Sequence, residues 1–294
     1  MKIGFLTCPG THPGSPRRRP DAHEHDVQVD ALRPALAERD IELVEVDWRS
    51  PIDSFAHLPM ILIGTPWDYH DDEATFVAKL DALEAAGHVL CNSAELVRWN
   101  ARKTYLRDLA DAGATSIPTI WLDNAAGSDI ADAMDTFGCD AVVAKRQVGA
   151  GAEGQSLHRR GGIEEDWRLA QPCMLQPFLP AIQSDGEYSF LFVDGALSHA
   201  LVKRPASGDY RVQSIYGGHE EAIAPSDEDL AAASSVVGVI PFPTPLYARI
   251  DMVRADDGRL LLMEAELIEP YLYPRQGPEL GKMMATAIAR RLDP

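Results

Sequence analysis

Cysteine is scarce in this chain. Its four residues, Cys8, Cys91, Cys139 and Cys173, are scattered with no CxxC pair. That spacing excludes a zinc ribbon and a disulfide framework, and it fits reduced, buried thiols. Positive charge is also short: 27 Lys and Arg stand against 45 Asp and Glu, a net charge of -18. Such a balance argues against a nucleic-acid-binding surface, although it leaves room for a local basic pocket holding a small anion. No apolar run is long enough to span a bilayer, so no membrane partner is expected. Met1 runs directly into the strand-like KIGFLT, so no secretory leader and a cytoplasmic setting are expected. Internal repeats and low-complexity linkers are missing too, which favours closely packed lobes. One basic run exists, PRRRP at 16–20. It reads as a solvated loop, with a substrate role as the rarer alternative.

What is present alternates. KIGFLT, IELVEVDW, MILIGTP and HVLCN have the composition of short strands. DVQVDALRPALAERD and DDEATFVAKLDALEAAG have helical periodicity, the second closed by Gly87. Strand–helix alternation predicts a parallel sheet covered on both faces, with ligands collecting beyond the carboxyl ends of its strands. Two segments occupy those ends: the long Gly- and Pro-rich stretch from Cys8 to Asp26, and WDYHDD after the third strand. A single helix is predicted over NSAELVRWNARKTYLRDLADAG, capped by Asn92 with Glu95 three residues on, and stopped by Gly113. Beyond it the chain is strand-rich: DAVVAKRQ, CMLQPFL, EYSFLFVDG, ALSHALVKRP, LYARIDMVRA and RLLLMEAEL. Helices are predicted at SDIADAMDTF, SDEDLAAASSVVG and GPELGKMMATAIARRL. The class is α/β, with mixed α+β lobes after the parallel sheet.

GAGAEG, Gly149 to Gly154, matches GxGxxG letter for letter. A dinucleotide-binding version must follow a strand and open a helix, and QSLHRRGG forms no convincing amphipathic helix. The preceding strand ends in Lys145. Strand, lysine, glycine turn, strand is instead the layout of a flap over nucleotide phosphates, with backbone N–H groups approaching closely and the lysine adding point charge. The absence of GK[ST] excludes a P-loop.

RLLLMEAELIEP raises a different question. Glu264 and Glu266 are two apart on a strand and share one face. Two such charges, about 7 Å apart beside leucines, repel by a few kcal/mol at low dielectric unless a cation sits against them. The bland alternative is a solvent-facing edge strand.

Taken together these pieces resemble the ATP-grasp superfamily, in the branch of glutathione synthetase and the RimK-type ligases, from about Asn92 onward. The resemblance implies an ATP-grasp domain over 98–294, with a small lobe at about 117–179 and a larger one at about 180–294. The parallel-sheet pre-ATP-grasp domain would be 1–97. It implies ATP and Mg²⁺ as cofactors. Lys103, on the helix entering the grasp, and Lys145 match the nucleotide lysines, with Gly149, Gly151 and Gly154 in the flexible loop. Arg146 departs from the proline common there. The backbone of Gln176, Pro177, Phe178 and Leu179 would bind the adenine edge and Glu187 the ribose. Arg211 matches the arginine expected to stabilise the transferred phosphoryl, and Lys203 a basic residue near substrate and phosphate. Asp251, Glu264 and Glu266 match the three metal positions, with Glu266 in place of the usual asparagine.

The implied reaction joins a small, amino-acid-like carboxylate to an amine through an acyl phosphate. TPWDYHDD and EPYLY resemble a subgroup that includes the ligase closing D-cycloserine, so intramolecular ring closure is implied as one form. Trp67 and Tyr69 are expected as substrate walls and Asp68 as the acceptor for a substrate ammonium, with core-capping aromatics and a helix cap at Asp68 as the equal alternative. HEHD, His23 to Asp26, reads as a helix start more readily than a metal site. A homodimer is left open. Two other classes stay in view: an NAD(P)-dependent oxidoreductase using the glycine loop, and a non-catalytic nucleotide-binding module.

Overall fold

The computed structural model describes residues 1–149, 154–164, 166–206, 209–212 and 216–292. The first block is β1 (Lys2–Thr7), α1 (Ala22–Ala37), β2 (Glu42–Asp47), β3 (Met60–Leu62), α2 (Glu73–Ala85) and β4 (Val89–Cys91). The strands form one parallel sheet in the order β2-β1-β3-β4. Its core follows from the alternation. Ile3 and Phe5 point to the α1 side with Leu32 and Leu36, while Leu6 and Ile61 point to the α2 side with Phe76 and Leu80. Asp72 caps α2, accepting from Thr75 N at 3.3 Å, and Gly87 follows at φ +93°. The helix start at 22 rather than 26 puts His25 inside α1, where it is buried between Thr65 Oγ1 (2.7 Å) and Glu45 (3.0 Å). It ties helix to sheet and faces no metal cluster among the described residues.

The long predicted helix is two: α3 (Ala94–Asn100) and α4 (Tyr105–Asp111). Its cap is Ser93, whose Oγ accepts from Leu96 N at 3.3 Å, not Asn92. Asn92 is instead buried, donating to Tyr247 O (3.1 Å) and Leu267 O (2.7 Å) and accepting from Leu246 N (2.7 Å). An asparagine that satisfies three backbone groups across 150 residues of sequence is a rivet, and its sequence signal is the same as a cap's.

Next come β5 (Ile120–Leu122), β6 (Ala125–Ala126), α5 (Gly127–Phe137), β7 (Ala141–Arg146), β8 (Ser156–Arg159), β9 (Arg168–Leu169) and β10 (Cys173–Pro177). They build an antiparallel sheet, β5-β10-β7-β8, beside a small β6-β9 pair. Its core, Ile130, Met134, Val142, Ala144 and Leu175, forms a separate cluster. The described residues after the glycine segment form β8, antiparallel to β7, and not a helix, which removes the physical basis of the dinucleotide reading.

The remainder is α6 (Ala181–Ser184), β11 (Glu187–Val193), β12 (Ala196–Arg204), β13 (His219–Ile223), α7 (Asp227–Gly238), β14 (Tyr247–Arg254), β15 (Leu260–Glu266) and α8 (Leu280–Leu292). Five strands lie in the order β13-β12-β11-β14-β15. β13, HEEAI, escapes the alternation rule because its mainly polar residues lie on a sheet edge. Helix α8 packs on α1 so closely that a Cβ at Gly281 would lie 2.2 Å from the Ala31 carbonyl oxygen. One continuous core therefore runs from Ile3 and Leu36 to Leu191, Leu201, Met284 and Ile288.

Candidate active site

β15 is the last strand of its sheet, yet its open edge is covered. Asn100 donates to Ala265 O (2.8 Å) and accepts from Leu267 N (3.0 Å), and the Tyr105 hydroxyl accepts from Ala265 N (3.0 Å). Further along, Leu262 N donates to Thr115 O (2.8 Å) and Ile117 N to Leu262 O (3.2 Å). Docking two side chains five residues apart onto one strand edge accounts for the break between α3 and α4. It also fixes Lys103, which lies on that break rather than on a helix, against Glu264 as an ion pair. The solvent-facing alternative for the acidic strand is thereby excluded.

On the face of the large sheet that looks into the cleft, the register assembles charge. Ser189 stands opposite Asp251, Glu187 opposite Lys203, Asp251 opposite Glu264 and Arg249 opposite Glu266. A register shift between Asp251 and Met252 makes room for Met263 and keeps Glu264 and Glu266 on the cleft side. Lys203 is buried between Glu187 and Asp251 (3.3 Å), which keep it protonated against the burial that opposes its charge. Arg249 holds Asp251 (3.0 Å), Glu266 and Tyr271 O (3.1 Å). Asp251 is 1% exposed and also accepts from Ser189.

The cleft is a cavity of about 480 Å³ between the parallel-sheet domain, the small sheet and the large sheet, within the usual size of ligand sites. Glu264 and Glu266 each keep 31% side-chain exposure and both line this cavity. Burial, then Glu264 and Asp251 as like charges, push Glu266 up to about 7 despite Arg249. Lys145 projects from β7 across the cavity. Burial pulls it down to about 8, and no described side chain hydrogen-bonds its ammonium, although Glu264 draws it up. Gly149, at φ +146°, and Gly154, at φ +70°, flank the turn; Gly149 lines the cavity, and Gly151 lies outside the described residues. Arg146 packs on Gly154 so tightly that a Cβ there would meet its Nε at 2.4 Å.

The segment Gln176 to Leu179 lines the cavity as expected, but unevenly. Phe178 N donates to Ala141 O (2.9 Å), continuing the β10–β7 ladder, so that N–H is not available to a ligand. Gln176 donates to Thr119 Oγ1 (2.9 Å), and its buried Oε1 has no partner. Such an orphan acceptor fits an exocyclic amine. Arg211, also lining the cavity, pairs with Asp209 (2.8 Å) and stacks 3.7 Å over Tyr216.

Three expectations change. Asp68 is absent from the cavity wall: its carboxylate accepts from Trp48 Nε1 (2.8 Å) and Arg49 (2.6 Å), so neither the ammonium role nor the cap is realised. Asp251 stands beside the two glutamates, but its oxygens are taken by Ser189, Lys203 and Arg249. Among the described residues no three carboxylates converge as a ready metal cage. Finally, PRRRP is not simply solvated. Arg18 pins the loop through Thr11 O (2.5 Å), and Arg19, paired with Asp21 (2.8 Å) and 5.6 Å over Trp67, lines the cavity.

Trp67 and Tyr69 do line it. Trp67 Nε1 donates to Glu269 O (3.1 Å), and Tyr69 packs at 5.1 Å on Phe76, so each is both wall and core. Sequence reasoning missed Arg249, Glu269, Tyr271 and Tyr273 in the wall. An arginine inside the apolar run YARIDMV, two residues from Asp251, was the available signal.

The comparisons with known proteins agree with this geometry. The family described as D-cycloserine synthetase DcsG, N-terminal domain, matches residues 3–92. Cycloserine biosynthesis protein DcsG of Streptomyces lavendulae is 28% identical over 275 residues, 84% of this chain and 88% of that protein. A glutathione synthetase of Prochlorococcus marinus (strain MIT 9313) is 31% identical over 99 residues, 34% of this chain and 30% of that one. The crystal structure of D-cycloserine synthetase DcsG superposes with a TM-score of 0.83 at 22% identity, covering 99% of this chain and 100% of that chain. The D-alanine–D-alanine ligase of Bacillus anthracis gives 0.70 at 16%, covering 100% and 98%. The fold is therefore the ATP-grasp fold, and in sequence the chain is similar to DcsG over most of both chains.

Proposed function

We propose that this chain is an ATP-dependent, ADP-forming ligase that joins a small amino-acid-like carboxylate to an amine, with ring closure of the cycloserine type as the form its similarity to DcsG favours. The observation that carries the reading is the meeting of Lys103 and Lys145 with Glu264 and Glu266 around one cavity, with Gly149 in its wall. Residues 98–294 would form the grasp, with lobes at about 117–179 and 180–294, against a substrate domain over 1–97.

The site fits ATP and Mg²⁺ on its own chemistry. Gln176 offers a buried acceptor without a donor, with Pro177 and Leu179 beside it as the adenine edge. Lys145 is a cation that no described side chain hydrogen-bonds. Glu264 and Glu266 are hard oxygens in excess of the cations that face them, and Mg²⁺ prefers one or two carboxylates completed by phosphate oxygens. When bound, the ion would neutralise phosphate charge. A neighbouring ligase, PsnB, has been seen with Mg and ADP, and the Bacillus anthracis ligase with ATP.

The chain's own residues would act by position and charge. Lys103 and Lys145 would hold the phosphates, and Arg211, freed from Asp209, would meet the charge developing on the transferred phosphoryl. Glu187 would hold the ribose, with Lys203 ordering it and Asp251. The glycine turn would exclude water from the acyl phosphate until the amine attacks its carbonyl carbon and phosphate leaves.

The test is ADP release from ATP with Mg²⁺ across a panel of amino acids and amines, with Lys145→Ala as control. Release with a single substrate indicates cyclisation, and a strict need for two indicates ligation between molecules. No release with any substrate, together with protection of the fold by ATP, would leave only a non-catalytic nucleotide-binding module.

A further inference from the structure

Of the acidic side chains lining the cavity, Glu269 differs in its surroundings. Glu264 has Lys103, Glu266 and Asp251 have Arg249, Glu187 has Lys203, Asp21 has Arg19, and Glu24 is not without a partner either. Apart from its own backbone N–H, none of the described residues hydrogen-bonds the Glu269 carboxylate. The charges pressing on it are mainly those of Glu266 and Glu264, which add to the burial that already disfavours ionisation. A half-buried carboxylate beside two others is costly unless a cation comes to it.

Its position selects the cation. The Glu269 backbone is fixed by Trp67 Nε1, and Glu269 is the leading charge acting on Tyr69. It therefore sits at the end of the cavity formed by the parallel-sheet domain, with Trp67, Tyr69 and Tyr271 as aromatic walls. Aromatic faces around a carboxylate suit a compact organic cation, which gains both the ion pair and the ring quadrupole. Asp68, the residue that sequence reasoning put in this role, is turned to Trp48 and Arg49.

We propose that Glu269 is the residue that receives the ammonium group of the amino-acid-like substrate, in a subsite walled by Trp67, Tyr69 and Tyr271. The proposal rests on the ligase reading above and names the substrate feature that reading leaves open: a primary amine kept protonated while the other end reacts.

The experiment uses the full chain and its isosteric Glu269→Gln variant in calorimetric titrations with two kinds of probe. The first is a non-hydrolysable ATP analogue with Mg²⁺. The second is D-cycloserine, D-alanine or D-serine, each compared with its N-acetyl derivative. The proposal expects the free-amine form of at least one probe to bind, its N-acetyl form to fail, and Glu269→Gln to weaken the free amine at least about tenfold. Nucleotide affinity in the variant is expected to match the parent. Equal binding of the amine by variant and parent overturns the proposal and leaves the ligase reading intact. So does failure of every free amine to bind a parent protein that still takes nucleotide. Loss of Mg²⁺–nucleotide affinity in Glu269→Gln also overturns it, by making Glu269 a metal ligand. Failure of the parent to bind nucleotide sinks the ligase reading itself.

Discussion

Two groups of charge share the cleft face of the large sheet and are built differently. Glu187, Lys203, Asp251 and Arg249 lie on β11, β12 and β14 and complete one another, so the protein alone satisfies them. Glu264 and Glu266 pair with Lys103 and Arg249 but keep 31% side-chain exposure at the cavity, while Glu269, just beyond β15, and Lys145, across the cavity, have no ion pair among the described residues. The first group specifies the sheet. The second faces the cavity, where the proposed nucleotide and metal ion would complete its balance. A charged cleft is therefore better divided by which charges are already answered than by which residues look catalytic.

Breaking the closed group should show most in stability. Arg249→Ala strands Asp251 and Glu266, and loss of one partner of a buried pair costs about 3–5 kcal/mol. Urea denaturation should show that loss, and a change below about 1 kcal/mol would mean that the group is not closed. The open group should behave in the opposite way. Lys145→Met should lower ADP release by about 10²- to 10³-fold, in line with loss of one preorganised charge at a reacting phosphoryl. Its melting temperature should stay level or rise, because a desolvated cation has been removed. A fall in melting temperature would place Lys145 in the closed group.

A pH series sharpens the contrast further. Burial leaves the Lys145 ammonium at about 8. In the free protein it is charged below that pH and neutral above it, while phosphate needs it charged. Affinity for ADP with Mg²⁺ should be level up to pH 8 and then weaken by about tenfold per unit. Lys145→Arg should remove the bend, and a level profile to pH 9.5 in the parent would refute the assignment. The smallest effect is expected at Asp68→Asn. It loses part of a half-exposed ion pair with Arg49, about 1 kcal/mol or less, and KM for the amine substrate should not move.

Sequence patterns carried the architecture because alternation and periodicity are local. KIGFLT, VVAK and MEAEL declare their own strands, and a glycine turn followed by SLHR declares a hairpin. Lys103 and Lys145 were picked out by the family resemblance and the acidic pair by its two-residue spacing on a strand, and all four line one cavity. Long-range partners were not. Asn92 and Ser93 are both good caps, and only the approach of β14 decides that Asn92 turns inward. The split at Lys103 depends on the edge of β15, some 160 residues away. Asp68 looked like an ammonium acceptor because Trp48 and Arg49 had no marker in the sequence near it. Glu269, whose carboxylate no other described residue hydrogen-bonds, could not be told from Glu264 and Glu266 by letter alone.

The glycine at 281 has a consequence beyond close packing. It lets the chain's first and last helices touch backbone to backbone, so the scaffold bearing Trp67 and Tyr69 is clasped to the sheet bearing Arg249 and the glutamates. The small sheet keeps a core of its own and is tied to the large one through Met174 and Trp121. One methyl group at that glycine would act as a wedge between two helices far from the reacting atoms, and would pry apart the opposite walls of the cleft.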